Sequence, residues 1–436
     1  VSFRKRHVDH DRRVVVTGLG VIAPNAHGAA AFAGALREGK SGIRFHQHLA
    51  DLGFGCQVGG IPEGLEAIQG RYLDEDELRA MNPNMVYAAI AAIDAWTDAG
   101  LERPARDGGD VHWDTGAIIG TGIGGIDTIA EKLVPRVDAG KVSRLGSTMV
   151  EQIMSSGNTA RVAGLLALGN KVTTSSSACN TGTEAIIDAF LHIREGRAER
   201  MLAGGSEGHS KYIWAGFDAM KVLCRTHNGA PAEASRPMSA SAAGFVPGSG
   251  AGVLVLESLE SAERRGARIY AEVLGGYVNC GGHRLGGSMT APNSEAVRRC
   301  IRGALAMANV QPEEIGAING HLTATFADPR EIASWSAALE LPPERMPLLH
   351  STKSLIGHAL GAAGGIECVA SVLELHQGFV HGSLNCRDLH PELAAYAKRI
   401  PHRTVDVPDL RVIAKASFGF GDVNGCVVFG KQEKAA

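Results

Sequence analysis

Residues 171–207 constrain the fold more tightly than any other part of the chain. KVTTSSSA (171–178) reads as a strand, residues 180–195 as a helix, and ERMLAGGSE (199–207) as a second strand. Two strands joined through a helix form a βαβ unit, and an α/β fold follows. The helix can be checked by its period. Glu184, Asp188, His192 and Glu195 fall on one polar stripe, and Ile186, Phe190 and Ile193 on an apolar one. Between strand and helix stands Cys179, with Ser177, Ala178, Asn180 and Gly182 around it. A thiol at the first turn of a helix meets partial positive charge and unpaired N–H groups, so its pKa is expected to fall. Most cysteines are inert packing residues. This setting, with small neighbours that let a substrate approach, favours a nucleophile.

The alternation continues along the chain. RRVVVTGLGVIAP (12–24) reads as a buried strand and turn, and MVYAAIAAIDAWTDAG (85–100) as a helix closed by Gly100. TGAIIGTGIGG (115–125) reads as a strand running into a glycine turn. GFVPGSGAGVLVLES (244–258) is echoed by SFGFGDVNGCVVFGK (417–431): a Gly/Phe turn, a small residue, then an apolar strand. Each copy closes a half, so the chain reads as two related α/β halves, 1–260 and 261–436. A length of 436 residues is enough for such a doubled body with a sizeable core.

Composition excludes several classes. With a net charge of −3 and 20% charged residues, there is no strong basic excess to suggest nucleic acid and no long acidic tail to suggest disorder. No apolar run is long enough to span a membrane. The eight cysteines show no CxxC pair and no zinc-ligand spacing, which predicts reduced thiols and a cytoplasmic location. The opening VSFRKRHVDHDRR is basic, lacks an apolar segment, and reads as a short disordered leader rather than a secretory signal.

A nucleophile needs partners. His321 sits in INGHLTATFADP, just after the expected strand IGAIN; His358 sits in STKSLIGHALGAAGG, after MPLLHS and before a small-residue helix. Both lie near strand ends, where α/β folds build their sites. Lys353 precedes His358 by five residues. Most of the 17 histidines, His7, His10, His227 and His376 among them, are expected to be ordinary surface or core residues.

The motifs together resemble the β-ketoacyl-acyl-carrier-protein synthases, the elongating condensing enzymes of the thiolase-like superfamily. SSACNTGTEAI resembles their nucleophile turn, NGHLTAT and STKSLIGHALGAAGGIE their two histidine motifs, and SFGFGDVN their Gly/Phe loop. RRVVVTGLGVIAP, ASRPMSASAAGFVPGSGAGVLVLE and RIYAEVLGG match in order, so the resemblance covers nearly the whole chain. It implies a duplicated, five-layered α-β-α-β-α fold and decarboxylative condensation of an acyl group on Cys179 with malonyl-acyl-carrier protein. His321 and His358 would donate to the malonyl thioester carbonyl, Lys353 would tune the charge around His358, and the N–H groups of Cys179 and Phe420 would form the oxyanion hole. Phe420 also matches a gate. Thr323, Thr325 and Thr290 fall on pantetheine-contacting positions, Arg225 on a basic contact to the carrier protein, and Glu367 and Asp328 on structural ones. The resemblance further implies a homodimer, acyl carrier protein in acyl and malonyl forms as partner, and no metal or other cofactor.

The chain departs from the family's pattern at Leu322 and Asp422, where glycines are usual, at Phe326, where proline is usual, and at Ser249, where glutamate is common. The segment before Asp328 reads as one residue short, which puts Asp328 and the pantetheine tunnel in question. These departures suggest a divergent branch with an unusual acyl chain or a dedicated pathway. Three rival readings compete. GTGIGG (120–125) satisfies a dinucleotide pattern, but Asp138 ends no convincing second strand, so a structural turn is the better reading. A cysteine hydrolase or simple acyltransferase would pair Cys179 with one histidine and a carboxylate. A chain-length-factor-like partner subunit would be expected to lack the nucleophile.

Overall fold

The computed structural model describes residues 12–105 and 108–432. Residues 1–11 of the basic leader, His7 and His10 among them, lie outside them, whereas Arg12 and Arg13 at its end are described and pair with Glu199 and Glu272. Among the described residues one continuous sheet has eleven strands, ten of them along a single path: β1 (Val14–Ala23), β2 (Thr115–Gly120), β3 (Val172–Thr173), β4 (Arg200–Glu207), β5 (Gly250–Ser258), β6 (Ala271–Cys280), β7 (Ala317–Asn319), β8 (Leu348–His350), β9 (Val412–Gly419) and β10 (Val423–Gly430). Their spatial order is β8-β7-β9-β10-β6-β1-β5-β4-β2-β3, and a two-residue strand at Ala26–His27 folds back on β1. Numbered within β1–β5 and within β6–β10, both sets have the order 3-2-4-5-1 from their outer edge. In both, the first three strands of that order pair in parallel and the remainder antiparallel. The sets meet at their first strands, Val14–Val16 against Ala271–Val273. The two echoed sequences supply β5 and β10, the fifth strand of each set.

β1 and β5 are buried along their whole length, as expected of near-continuous apolar runs covered on both faces. The covers are helices. α1 (Pro83–Asp98) starts with Asn82 accepting from the Met85 N–H at 3.0 Å and is followed by Gly100 at φ 72°. It packs on β1, β5 and β4. α3 (Ser294–Ala308) packs on β6 and β10 and against α4 (Asp328–Leu339). Two further helices, α2 (Thr181–Arg194) and α5 (Ala363–Gln377), touch each other and strands of both sets. Among the described residues no helix is long and apolar enough to cross a membrane.

The strand expected over 171–178 shrinks to two paired residues. Beyond Thr173 the hydroxyl-rich segment turns to local bonds, with the Ser177 N–H donating to Thr181 Oγ1 at 2.8 Å and Ser175 Oγ donating to the Thr181 carbonyl at 3.3 Å. The chain then closes into a 3₁₀ turn at Ala178–Asn180 before α2.

Glycine backbones set how closely α5 approaches the sheet. A Cβ on Gly365 would fall on the carbonyl of Gly252 in β5 and the N–H of Gly205 in β4, and a Cβ on Gly182 in α2 would fall on the N–H of Gly365. These atoms belong to main chains that cannot yield separately. Gly365→Ala should therefore cost about 1–3 kcal/mol by overpacking, read as a lower midpoint in urea unfolding. An unchanged midpoint would show that the seam can open.

Candidate active site

Cys179 occupies the 3₁₀ turn ahead of α2, with Ala178 strained at φ 51°. Gly419, at the end of β9, crosses this turn, and a Cβ there would press on the Ser177 carbonyl and the Cys179 N–H. The next residue, Phe420, donates its backbone N–H to the Cys179 sulfur. The expected fall in thiol pKa does not occur. Part of the residue faces a cleft, but protein surrounds the sulfur, and burial pushes the thiol up to about 11 against the pull of Lys353 and the Phe420 N–H. Desolvation of a thiolate outweighs the helix terminus.

Both motif histidines reach the same place. The ligand-type atoms of Cys179, His321 and His358 lie within 4.8 Å of one another, and the two imidazole rings stand 5.3 Å apart at 85°. His321 follows β7 by two residues. His358 lies between a short helix, Lys353–Ile356, and a 3₁₀ turn, Leu360–Ala362. The Leu360 N–H donates to His358 Nδ1 at 3.2 Å. Nδ1 is thus an acceptor, and a neutral His358 carries its hydrogen on Nε2. Burial holds both histidines well below their ordinary pKa, and the nearby Lys353 and Lys415 reinforce this. Phe245 packs 5.3 Å from the His358 ring and Phe418 6.1 Å from that of His321.

Lys353 is buried, and its ammonium meets Glu367 on α5. Lys415, in the middle of β9 and absent from the sequence reading, meets the other oxygen of Glu367 at 2.9 Å. It also donates to Ser417 Oγ and, at 2.7 Å, to the Ala416 carbonyl. Burial lowers the Lys353 pKa and Glu367 partly restores it. One carboxylate thus holds two buried ammonium groups beside the histidines. The signal for Lys415 was available: a lysine within the apolar strand RVIAKASFGF has no ordinary packing role.

The loop after His321 hangs from two carboxylates at the start of α4. Glu331 accepts the N–H groups of His321 and Leu322, each at 2.7 Å. Asp328 accepts those of Thr323 and Ala324 and, from a neighbouring segment, Met238. Burial raises Asp328 to about 6 and Glu331 to about 7 even against these bonds. The short segment before Asp328 therefore still brings its carboxylate into the loop, with Leu322 and Ala324 at positive φ. Glu331 was not identified from sequence; an acidic residue one turn after Asp328 was the available clue.

The glycine turn after β2 is bound in the same way. Glu207, at the end of β4, accepts the Gly122 N–H at 2.8 Å, the Ile123 N–H at 3.3 Å and the Gly361 N–H at 3.0 Å. The amides of the GTGIGG turn face a buried carboxylate, as a structural turn requires, and a phosphate there would meet its charge.

A cleft of about 330 Å³ leads to Cys179. Phe217, Met220, Val222, Phe245 and Pro292 give it apolar walls, and Thr290, Thr323 and Thr325 line it with hydroxyls, the last two 3.1 Å apart. Phe420 lines it too, its ring 6.0 Å from Phe217. Phe326 stands at its edge, 75% exposed, with the Arg330 guanidinium 5.7 Å from its ring centre. Arg225 is not brought to the cleft. Its guanidinium pairs with Asp218, at 3.2 Å from the carboxylate and against the carbonyl, while the residue stays exposed at the surface. Asp422, at φ 60°, is buried and accepts the N–H groups of Asn293 and His283 at 2.7 and 3.1 Å.

With the thiol raised to about 11, its alkylation by iodoacetamide should climb steadily from pH 7 to 10, about tenfold per pH unit, because only the thiolate reacts. Peptide mapping in a Cys280→Ser background, which removes the exposed thiol, would isolate Cys179. A rate already level at pH 7 would mean that the helix terminus wins after all.

Comparison with known proteins agrees with this geometry. Residues 11–262 match the beta-ketoacyl synthase N-terminal domain and residues 270–387 the C-terminal domain. The chain is 37% identical over 432 residues to 3-oxoacyl-[acyl-carrier-protein] synthase 2 of Vibrio harveyi, covering 96% of this chain and 99% of that one. The solved ishigamide ketosynthase/chain length factor superposes with a TM-score of 0.86 at 31% identity, over 97% of this chain and 100% of that one. A type II polyketide ketosynthase, solved in complex with its acyl-carrier protein, gives 0.85 at 29% identity over the same shares. The resemblance of motifs, the mixed α/β sheet and both domain matches converge, and the chain belongs to the β-ketoacyl synthase family with its thiolase-like fold.

Proposed function

We propose that this chain is a 3-oxoacyl-carrier-protein synthase, an acyltransferase that condenses an acyl group with malonyl-acyl-carrier protein in fatty acid or polyketide biosynthesis. Cys179 takes the acyl group from a carrier thioester, and its thiol proton ends on the departing carrier thiol. Malonyl thioester then loses carbon dioxide while His321 and His358 donate to the enolate oxygen. The new carbon nucleophile attacks the acyl-cysteine. The N–H groups of Cys179 and Phe420 hold the tetrahedral oxyanion, and Cys179 leaves and regains a proton from solvent. The 3-oxoacyl chain, two carbons longer, departs on the carrier.

The observation that carries this reading is the Leu360 N–H on His358 Nδ1. It makes Nε2 a donor, as enolate stabilisation needs. A cysteine hydrolase needs the opposite arrangement, with Nδ1–H held by a carboxylate and Nε2 free to take a proton. Burial, reinforced by the two lysines, keeps both histidines neutral, so they donate without becoming strong acids. A partner subunit without chemistry of its own has no use for all three residues.

Other parts of the reading rest on similar support. Pantetheine would lie along Thr290, Thr323 and Thr325, with Phe420 as the gate and Asp328 and Glu367 as structural supports. The identical strand orders support two related halves divided near residue 260. The packing of α2 and α5 on both strand sets supports the layering α-β-α-β-α. Exposed Val134, Val137, Val142 and Val150, together with the open edge at β3, support a homodimer. Eight free cysteines suit a cytoplasmic location. An unusual acyl chain is in keeping with Phe326 at the edge of the cleft.

Intact mass after mixing with acyl carrier proteins of different chain lengths tests the assignment. Wild type should gain one acyl mass and Cys179→Ala none. His321→Ala and His358→Ala should still acylate but release carbon dioxide from malonyl carrier protein about 10²–10³-fold more slowly each. Acylation of Cys179→Ala, or carbon dioxide release unaffected by either histidine, would reject the mechanism.

A further inference from the structure

Behind the site, a second group of titratable side chains takes no part in the chemistry above. His350 ends β8, Glu374 lies on α5, and His381 follows α5 by four residues; none is exposed to solvent. Their contacts form a chain. His381 Nδ1 is 3.0 Å from the Gly382 carbonyl oxygen, His381 Nε2 is 3.2 Å from His350 Nδ1, and His350 Nε2 is 3.4 Å from Glu374 Oε2. Thr352 Oγ1 also lies 3.0 Å from His381 Nε2 and accepts from Asn319 Nδ2 at 3.0 Å.

The protons in this chain can be counted. A carbonyl only accepts, so His381 Nδ1 carries a hydrogen. Two facing ring nitrogens need one hydrogen between them, and so do a ring nitrogen and a carboxylate oxygen. Three contacts need three protons, and two neutral imidazoles bring two. The shortfall falls on His350 Nε2 and Glu374 Oε2, buried atoms that have no hydrogen-bond partner. The other oxygen of Glu374 already accepts the His381 N–H at 2.8 Å. A lone pair against an ionised carboxylate would be costly at such a depth.

We infer that Glu374 is held as an uncharged carboxylic acid whose hydroxyl donates to His350 Nε2, and that the resulting neutral chain positions the two histidine-bearing loops. Asn319 lies two residues before His321, and Thr352 opens the turn that carries Lys353 and His358. Their hydrogen bond ties the two loops at the base, and His381 braces Thr352. The positioning role rests on the function proposed above; the protonation does not. A neutral acid–imidazole contact costs less to bury than an ion pair. Burial pushes Glu374 well up, His350 well down, and His381 down to about 4. The charged groups on neighbouring elements are otherwise engaged: Lys353 and Lys415 with Glu367, and Arg37, on the helix Ala29–Glu38 that packs on α5, with Asp406. The other titratable group near the end of α5, His376, faces Tyr270.

Urea unfolding of wild type, E374Q and E374A across pH tests this. The native state keeps a proton that the unfolded chain releases above its ordinary carboxyl value of 4.5. Wild type should therefore lose stability relative to E374Q as pH rises past that value, by up to about tenfold in the folding constant per pH unit. Histidine-labelled nitrogen spectra should show His350 and His381 neutral, each with its hydrogen on Nδ1. E374Q, which can still donate, should keep the wild-type rate of carbon dioxide release at pH 7 and lose any alkaline decline due to Glu374, whereas E374A should slow it. A stability difference that begins only near the ordinary histidine value of 6.5, or none at all, would overturn the inference. So would one equivalent of bound metal lost in E374Q, since a cation would then supply the missing charge. If the stability and nitrogen data hold but no acyl mass forms on Cys179, the catalytic reading falls and the protonated acid stands.

Discussion

The close approach of α5 to the sheet is the constraint on which the rest depends. α5 lies near enough to β4, β5 and α2 that glycine main chains touch across the seam. Its first turns follow directly from His358, and its Glu367 reaches both Lys353 and Lys415. Were the helix farther out, the His358 turn would leave Cys179 and the lysines would lose their shared carboxylate. The small residues of GHALGAAGG thus serve the site through distance: they contribute little surface but bring two backbones into contact.

Desolvation governs the electrostatics around this seam. Cys179, His321, His358 and Lys353 are each shifted toward their uncharged forms, with burial as the largest cause. The ion pairs with Glu367 keep charge in the interior, and breaking such a group by removing one partner costs several kcal/mol, roughly 3–5. Carboxylates do similar work elsewhere by gathering main-chain N–H groups. Glu207 holds the glycine turn after β2, Asp328 and Glu331 hold the His321 loop, and Asp422 holds the segment opposite Phe420. Each compensates for a stretch of backbone that no strand or helix could satisfy.

Much of this was legible in residue order. The βαβ unit around Cys179, the echoed strands now found in matching places, and the positions of His321 and His358 after short strands all follow from local pattern. Other features were not. The strand before Cys179 was overestimated because Ser175 and Ser177 prefer local bonds to a ladder. Glu207 and Lys415 were missed because Gly122 and Glu367, the groups they meet, are brought to them only by the packing of distant segments, and Glu331 because the loop it holds closes back on it only in the fold.

The sequence by itself determined which atoms could react and where the chain would turn. Periodicity and small residues are local properties, written within a few residues of one another. Tertiary structure decided their state. Whether Cys179 rests as thiol or thiolate, which nitrogen of His358 carries its hydrogen, and whether Glu374 keeps its proton depend on how much water is excluded and on which distant groups face them. Those are properties of the packed interior, where desolvation and a few neighbouring charges act together and no short stretch of sequence records their sum.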